Sequence, residues 1–367
     1  MKVLILSYVN VIHTIRWVVS LSESGLEIAV LSLSSLKKEN ERHYEGVEVY
    51  HVGDLVAGGE GGLAKITYLK LVPLIKKIII KFRPDILHAH YSSSYGLLGA
   101  LSGFRPYLIS VWGNDIYSFP YRSFIHKLII KYNLRKADLI LSTSQVMARQ
   151  TQLFINEQVK VVPFGVDLER FKPDEPATPF SAGDIIIGTV KTMEPKYGIE
   201  YLIEAFSLLR TRRPELPLKL LIVGGGSRID ELIQQVSSLG LTDHVKFTGF
   251  VDHEEVPSYF NMLDIAVFLS TLDSESFGVA IIEASACGKP VVVSDVGGLP
   301  EVVEDGVTGT VVPKMNAKAA AKAIEKLIDD EELRRSMGQK GRERVKKHYD
   351  WSRNVRQMIE IYQDVLP

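Results

Sequence analysis

Short, apolar, largely β-branched runs alternate with amphipathic helical patterns from one end of this chain to the other. KVLILS, EIAVLS, ILHAH, YLISVW, LILSTS and VKVVPF form a first series, and IIIGTV, LKLLIVGG, VKFTGF, IAVFLS, PVVVSD and GTVVP a second. Runs apolar at successive positions are strands buried on both faces, and strands separated by helices return parallel to one another through crossovers. The pattern predicts an α/β chain of about eleven or twelve strands, more economically folded as two Rossmann-like, doubly wound parallel-sheet domains than as one sheet. The 367 residues are enough for two sizeable cores.

The periodicity breaks in VDLERFKPDEPATPFSAGD, residues 166–184, where three prolines, charges and small residues replace it. We therefore expect domains at 1–170 and 171–350. A closing amphipathic helix, 351–367, has Trp351, Val355, Met358, Ile359 and Tyr362 on one side and is free to return to the first domain. Ligands of doubly wound sheets bind beyond the carboxyl ends of the strands, so two such sheets facing one another would enclose a cleft.

Cys287 is the single cysteine, which rules out an internal disulfide or a cysteine-based metal site and suits a reducing compartment; it reads as a small buried helix residue. The start, MKVLILSYVN, turns polar too soon for a signal peptide, and no apolar run reaches the roughly 18 residues of a spanning helix. A cytoplasmic protein is expected. Net charge is −1, but residues 1–165 hold 19 Lys and Arg against 12 Asp and Glu, a balance of +7, and the remainder 24 against 32, or −8. Much of the excess lies in YLKLVPLIKKIIIKFRPD (68–85) and YRSFIHKLIIKYNLRKAD (121–138), where bases interleave with large apolar residues. Helices of this type lie on anionic membrane surfaces at the inner face of a cell membrane, and they are also ordinary surface helices; both readings stay open. A nucleic-acid partner is not expected.

The segment richest in chemistry is ESFGVAIIE, bracketed by Glu275 and Glu283, which runs on into a buried strand and the Gly297-Gly298 turn. A helix start after a glycine-containing loop offers unpaired N–H groups to an anion such as phosphate. Two carboxylates cannot help to bind phosphate, but they accept charge-assisted hydrogen bonds from sugar hydroxyls. The segment therefore suggests a nucleotide-sugar site. After the first strand of the second series, GTVKTMEPKYG places Lys191 and Lys196 in a strand-to-helix loop, where each charged bond to a diphosphate would contribute about 1.5–3 kcal/mol. Gly224, Gly225 and Gly226 lack the spacing of a dinucleotide fingerprint and read as a tight turn bordering a nucleotide base.

On these residues the chain resembles the GT-B glycosyltransferases, specifically retaining family four (glycosyl transferases group 1). The family pattern has a basic pair after the first strand of the donor domain and two glutamates eight apart, here Lys191, Lys196, Glu275 and Glu283. VVPFGVDLERFKP, LLIVGGGSRIDEL, VKFTGFVDHEEVPSYFNMLDIAVFLS and the closing YDWS also fit its course. The resemblance implies that Lys191 and Lys196 hold the diphosphate, that Glu283 takes the ribose hydroxyls, and that Glu275 meets the donor sugar. Phe277, Gly278 and Val279 would give backbone contacts, with Gly224 and Phe250 also on the donor side.

Three departures bear on the transfer. Lys191 stands where the family usually has Arg, keeping the charge without the bidentate geometry. Trp112, in SVWGNDIY, stands where many relatives place a histidine near the scissile bond; either Asp115, Asn114 or another residue does the polar work, or the donor phosphate takes the acceptor's proton. The family's Gly-Gly phosphate loop is replaced by SYVNVIHTIRW, where His13 begins the first helix. His13, Arg16, His90, Trp112 and Asn114 are the acceptor-side candidates, with His13 and Asp115 also candidates for catalysis. His88 and His90 do not read as a metal pair, since no third ligand is near. No cofactor is implied. The expected activity is metal-independent, retaining transfer from an NDP-sugar, UDP-linked most often in such enzymes, to a glycan or lipid-linked acceptor. The rival readings are a nonenzymatic nucleotide-sugar-binding protein, a GT-B epimerase and a dinucleotide-dependent oxidoreductase.

Overall fold

The computed structural model describes residues 1–52 and 64–366. The chain divides into two compact units, Met1–Pro163 with Arg353–Pro367, and Phe164–Ser352. The first holds a seven-stranded, wholly parallel sheet of β1 (Lys2–Leu6), β2 (Glu27–Ser32), β3 (Glu48–His51), β4 (Ile86–His90), β5 (Tyr107–Val111), β6 (Leu139–Ser142) and β7 (Val159–Val161), in the order β3-β2-β1-β4-β5-β6-β7. The second holds a six-stranded parallel sheet of β8 (Ile185–Val190), β9 (Leu218–Val223), β10 (Val245–Phe247), β11 (Ile265–Phe268), β12 (Val291–Ser294) and β13 (Gly309–Val312), in the order β10-β9-β8-β11-β12-β13.

Both orders are doubly wound and reverse once, between β1 and β4 in the first unit and between β8 and β11 in the second. The central strands explain the apolar runs. Leu4 pairs in register with Ala29 on one side and Leu87 on the other, and all three are fully buried. Burying such a side chain stabilises the fold by about 1.5–3 kcal/mol, which favours continuous Val, Ile and Leu in strands covered on both faces.

One strand escaped the sequence pattern. β3, EVYH, is half-exposed throughout and lies at the sheet edge, so it carries no apolar run. The boundary also falls earlier than 170/171. Residues 164–171 are held to the second unit: Val166 bridges Asp350, the Phe164 ring meets that of Phe277 edge-on at 6.0 Å, and Phe171 packs with Phe260 at 6.4 Å. From Arg353 the closing helix Trp351–Asp364 belongs to the first unit. There Asn354 donates to the Pro163 carbonyl at 2.8 Å, and the buried Tyr362 hydroxyl lies 2.7 Å from His88 Nδ1.

The two basic stretches differ once folded. In helix Ala64–Phe82, Leu71, Ile75, Ile78 and Phe82 turn into the core, leaving Lys76, Lys77 and Lys81 on an ordinary solvated face. Helix Phe124–Lys136 buries Ile130, Asn133 and Leu134 and leaves other large apolar residues outside.

His88 joins three parts of the first unit, because its Nε2 also lies 2.8 Å from Ser110 Oγ. Burial holds its imidazole far below the ordinary value of 6.5, at about 3. A histidine buried neutral contributes stability that is complete above its unfolded pKa and declines as pH falls below it, since the unfolded chain then binds the extra proton. Acidification from pH 6.5 to 5 should therefore remove about 2 kcal/mol through His88 alone. Denaturant unfolding across that range checks it, and His88→Gln should flatten the dependence; an unchanged slope in the variant would exclude the assignment.

Candidate active site

In the second unit the loops leaving the carboxyl ends of β8 and β11 lie side by side at the reversal of strand order. The first begins at Lys191 and carries Lys196 in a 3-10 turn, Pro195–Tyr197; the second carries Glu275. The two are tied together, since Thr271 donates its N–H to the Lys196 carbonyl at 2.8 Å. Glu275 reaches between the lysines, with Oε1 2.9 Å from Lys191 Nζ and Oε2 3.4 Å from Lys196 Nζ. The Tyr197 ring backs both ammonium groups, at 4.4 Å from Lys191 Nζ and 4.6 Å from Lys196 Nζ. Nothing in the sequence singles out Tyr197. Its only signal was an aromatic residue directly after a lysine, a pattern too common to stand out.

The electrostatics are those of a buried carboxylate held between two half-buried ammonium groups, a trio with a net charge of +1. Burial would push the Glu275 carboxyl up, but the charges of Lys191 and Lys196 and their hydrogen bonds outweigh it and hold it below the usual carboxylate range. Burial likewise works against the Lys191 ammonium, and Glu275, Tyr197 and Glu283 more than compensate, keeping its pKa above the ordinary lysine value. Glu275 is 8% exposed and Glu283 7%, so neither carboxylate is a solvated surface charge. Glu283 lies on helix Val279–Ala286. Over these four groups charge cancels, with two ammonium groups against two carboxylates.

The backbone around them is set by close approach. Gly278 begins the helix at φ +95°, and the first turn of a helix leaves N–H groups without intrahelical partners. Gly298 donates to the Glu275 carbonyl at 3.0 Å, and a Cβ on Gly298 would stand 2.1 Å from the Ser276 carbonyl oxygen. Only glycine lets the turn after β12 pass so close to the Glu275 loop. At the end of β9, Gly224 has φ +128°, and a Cβ there would meet the Lys191 carbonyl oxygen at 2.2 Å. The three-glycine turn is thus a seat for the Lys191 loop, with Met193 donating to the Gly225 carbonyl at 2.9 Å. Phe250 lies over Gly225 and is otherwise 78% exposed, and Val279 is the first residue of its helix. The Phe277 ring is buried between Phe164 and Tyr349, so only its backbone is available to a ligand.

The first unit gathers the other candidates at its own reversal point. His90, at the end of β4, has Nδ1 3.1 Å from Ser7 Oγ at the end of β1, and its ring lies 4.3 Å from that of Trp112. His13 approaches the same indole edge-on at 6.1 Å, and Arg16 follows one turn later, half-buried. Burial and the neighbouring histidines push the His90 imidazole well down, so it is neutral at physiological pH. Asn114 is exposed at the start of helix Asn114–Tyr117.

Asp115 is buried and occupied. Its Oδ2 accepts from the N–H and hydroxyl of Ser92, at 2.7 and 3.0 Å, and its Oδ1 from the N–H groups of Trp112 and Gly113, at 3.2 and 2.9 Å. A carboxylate engaged by four donors holds a loop in place rather than exchanging a substrate proton. The structure thus gives Asp115 a positioning role, in place of the catalytic one its sequence position suggested. Among the described residues, no group of three His, Cys, Asp or Glu could hold a metal ion.

Residues 171–344 match the family described as Glycosyl transferases group 1, and residues 2–144 match Glycosyl transferase 4-like. The chain is 30% identical over 295 residues to N-acetyl-alpha-D-glucosaminyl L-malate synthase of Bacillus anthracis, an alignment spanning 77% of this chain and 75% of that one. It is 35% identical over 211 residues to the GDP-mannose-dependent alpha-(1-6)-phosphatidylinositol monomannoside mannosyltransferase of Mycolicibacterium smegmatis, 54% of this chain and 55% of that protein. Its backbone superposes on the crystal structure of Anabaena Alr3699/HepE, solved in complex with UDP, with a TM-score of 0.81 over 99% of this chain and 100% of that one; at 23% identity this shows a shared fold. With two doubly wound parallel sheets and both family matches, the chain belongs to the group 1, family-four-like glycosyltransferases of GT-B fold.

Proposed function

We propose that the protein is a retaining, metal-independent glycosyltransferase that binds an NDP-sugar on its second unit and an acceptor on its first. The observation that carries the reading is the Lys191–Glu275–Lys196 trio, its carboxylate buried, at the strand-order reversal of a glycosyltransferase fold. A diphosphate would take over the two ammonium groups, and Glu275, released from them, would accept hydrogen bonds from the donor sugar. Glu283 would take the ribose hydroxyls.

In the transfer step the bond from the anomeric carbon to the β-phosphate oxygen breaks, and the electron pair leaves with the nucleoside diphosphate. Lys191 and Lys196 stabilise that developing charge, the kind of term that is usually largest in such reactions. The acceptor hydroxyl attacks from the face the diphosphate leaves, and the departing phosphate oxygen takes its proton. This route suits a site in which Trp112 cannot exchange a proton and Asp115 is engaged by four donors. His13, Arg16, His90 and Asn114 would border the acceptor.

The nucleotide we favour is UDP. A relative named for GDP-mannose makes GDP the alternative to test, and titration calorimetry with the two nucleotides and their sugars separates them. The acceptor we favour is a lipid-linked glycan precursor at the inner face of a membrane. A nonenzymatic sugar-nucleotide binder draws on the same Trp112 and would bind donor without consuming it. An epimerase would release altered sugar without any acceptor.

Lys191→Ala and Lys196→Ala should each lower transfer by roughly 10²-fold or more, the scale for losing one charge-stabilising group. Lys191→Arg should keep more activity than Lys191→Ala. Near-normal turnover of both alanine variants in a donor-consumption assay would defeat the diphosphate assignment.

The two glutamates should separate by ligand. Glu283→Ala should weaken UDP itself, since the ribose belongs to UDP. Glu275→Ala should leave UDP binding intact or tighter, because both lysines lose their internal counter-ion, and yet impair the whole donor and its transfer. Calorimetry giving the reverse ranking would exchange the two roles.

A further inference from the structure

Helix Phe124–Lys136 carries large apolar residues on its outer side as well as its inner one. Ile130, Asn133 and Leu134 face inward, and Asn133 Nδ2 fixes that side by donating to the Ser92 and Ser93 carbonyls at 2.8 and 3.1 Å. On the opposite side Phe124 is 74% exposed, Ile125 64%, Leu128 48% and Tyr132 39%. At about 100° per residue these four fall within an arc of about 100°, centred opposite the buried three. Tyr121, 59% exposed just before the helix, extends the patch.

The charges that this segment itself carries have one sign. Arg122, Lys127, Lys131, Arg135 and Lys136 lie among or beside the apolar residues, and residues 121–137 contain no Asp or Glu. The next acid, Asp138, is taken by Arg105 and by the Tyr107 N–H. Helix Ala64–Phe82 differs, since Leu71, Ile75, Ile78 and Phe82 lie in the core, Ile80 is an isolated exposed apolar residue rather than part of a patch among its described side chains, and Lys81 pairs with Glu48 at 3.2 Å. Among the described residues no helix is long and apolar enough to cross a membrane.

We propose that the outward face of helix Phe124–Lys136 docks on an anionic lipid bilayer. Its use in reaching a lipid-linked acceptor rests on the transfer reading above, while the docking itself does not. Phe124, Ile125 and Leu128 enter the boundary between headgroups and acyl chains, Tyr121 and Tyr132 sit at headgroup level, and the five bases meet lipid phosphates. An apolar patch alone would suit a protein partner as well. A patch whose own segment supplies five bases and no acid is complementary to a surface of uniform negative charge.

Co-sedimentation with vesicles of phosphatidylcholine, alone or mixed with phosphatidylglycerol, tests this directly. The protein should bind the mixed vesicles, bind the neutral ones far less, and dissociate as added salt shortens the Debye length. Phe124→Ser with Leu128→Ser, which leaves every charge in place, and Lys127→Gln with Lys131→Gln should each weaken binding by roughly tenfold or more, whereas Lys76→Gln with Lys77→Gln should change it little. All three variants should keep calorimetric UDP binding. Should the serine pair fail to fold, the glutamine pair at 127 and 131 carries the test. Equal binding to both vesicle types, retained binding by the 124/128 and 127/131 variants, or a self-association of this chain that the 124/128 change abolishes would overturn the proposal. Docking without UDP binding by the wild type would overturn the transfer reading and leave the docking standing.

Discussion

A parallel strand cannot be followed by a two-residue hairpin, so each return to the same sheet edge needs a crossover that covers one face. Everything else in this protein is arranged around that constraint. Crossovers bury both faces of the sheets, which demands the uninterrupted apolar strands, and they leave every strand's carboxyl end opening into a loop. Where the strand order reverses, the loops of two neighbouring strands meet beyond the sheet, the usual place for a ligand in such folds. The Lys191 and Glu275 loops occupy that position in one unit, and the Ser7 and His90 ends occupy it in the other.

At the first of these positions electrostatics decides the geometry. A buried carboxylate alone would be costly, and two ammonium groups held together would repel; the cost falls when Glu275 lies between Lys191 and Lys196. The site is therefore assembled in advance with an internal anion where a substrate anion is proposed to go. Glycines make that assembly sterically possible. Gly298 lets one loop touch the backbone of the Glu275 segment, and Gly224 lets another touch the carbonyl of Lys191.

The first unit uses its buried polar groups differently. Asp115 spends its lone pairs on loop N–H groups and a hydroxyl, and His88 spends its ring nitrogens on Ser110 and on Tyr362 of the closing helix. These contacts fix the Trp112-Gly113 loop and the chain's last helix in place. The outward apolar face of Phe124–Lys136 is held on the same scaffold through Asn133. Its exposure therefore belongs to a well-anchored element and does not come from loose packing.

The sequence by itself determined the class of architecture and twelve of the thirteen strands among the described residues, and it singled out Lys191, Lys196, Glu275 and Glu283 as candidates, of which the structure brings Lys191, Lys196 and Glu275 into contact. Those are legible because burial and charge are written in local patterns: apolar runs, glycine turns, and acids or bases at strand ends. The edge strand Glu48–His51 was not legible, because a half-exposed strand has no apolar run to show. Tertiary structure alone decided which partner each group takes. Asp115 looks catalytic as a residue beside Trp112 and becomes structural only when Ser92 arrives from 23 positions away. Tyr197 matters only because two lysines flank its ring. Two basic stretches of like composition separate into a core-facing helix and an outward-facing one, because periodicity shows that a helix has an apolar face and only packing shows which way that face is turned.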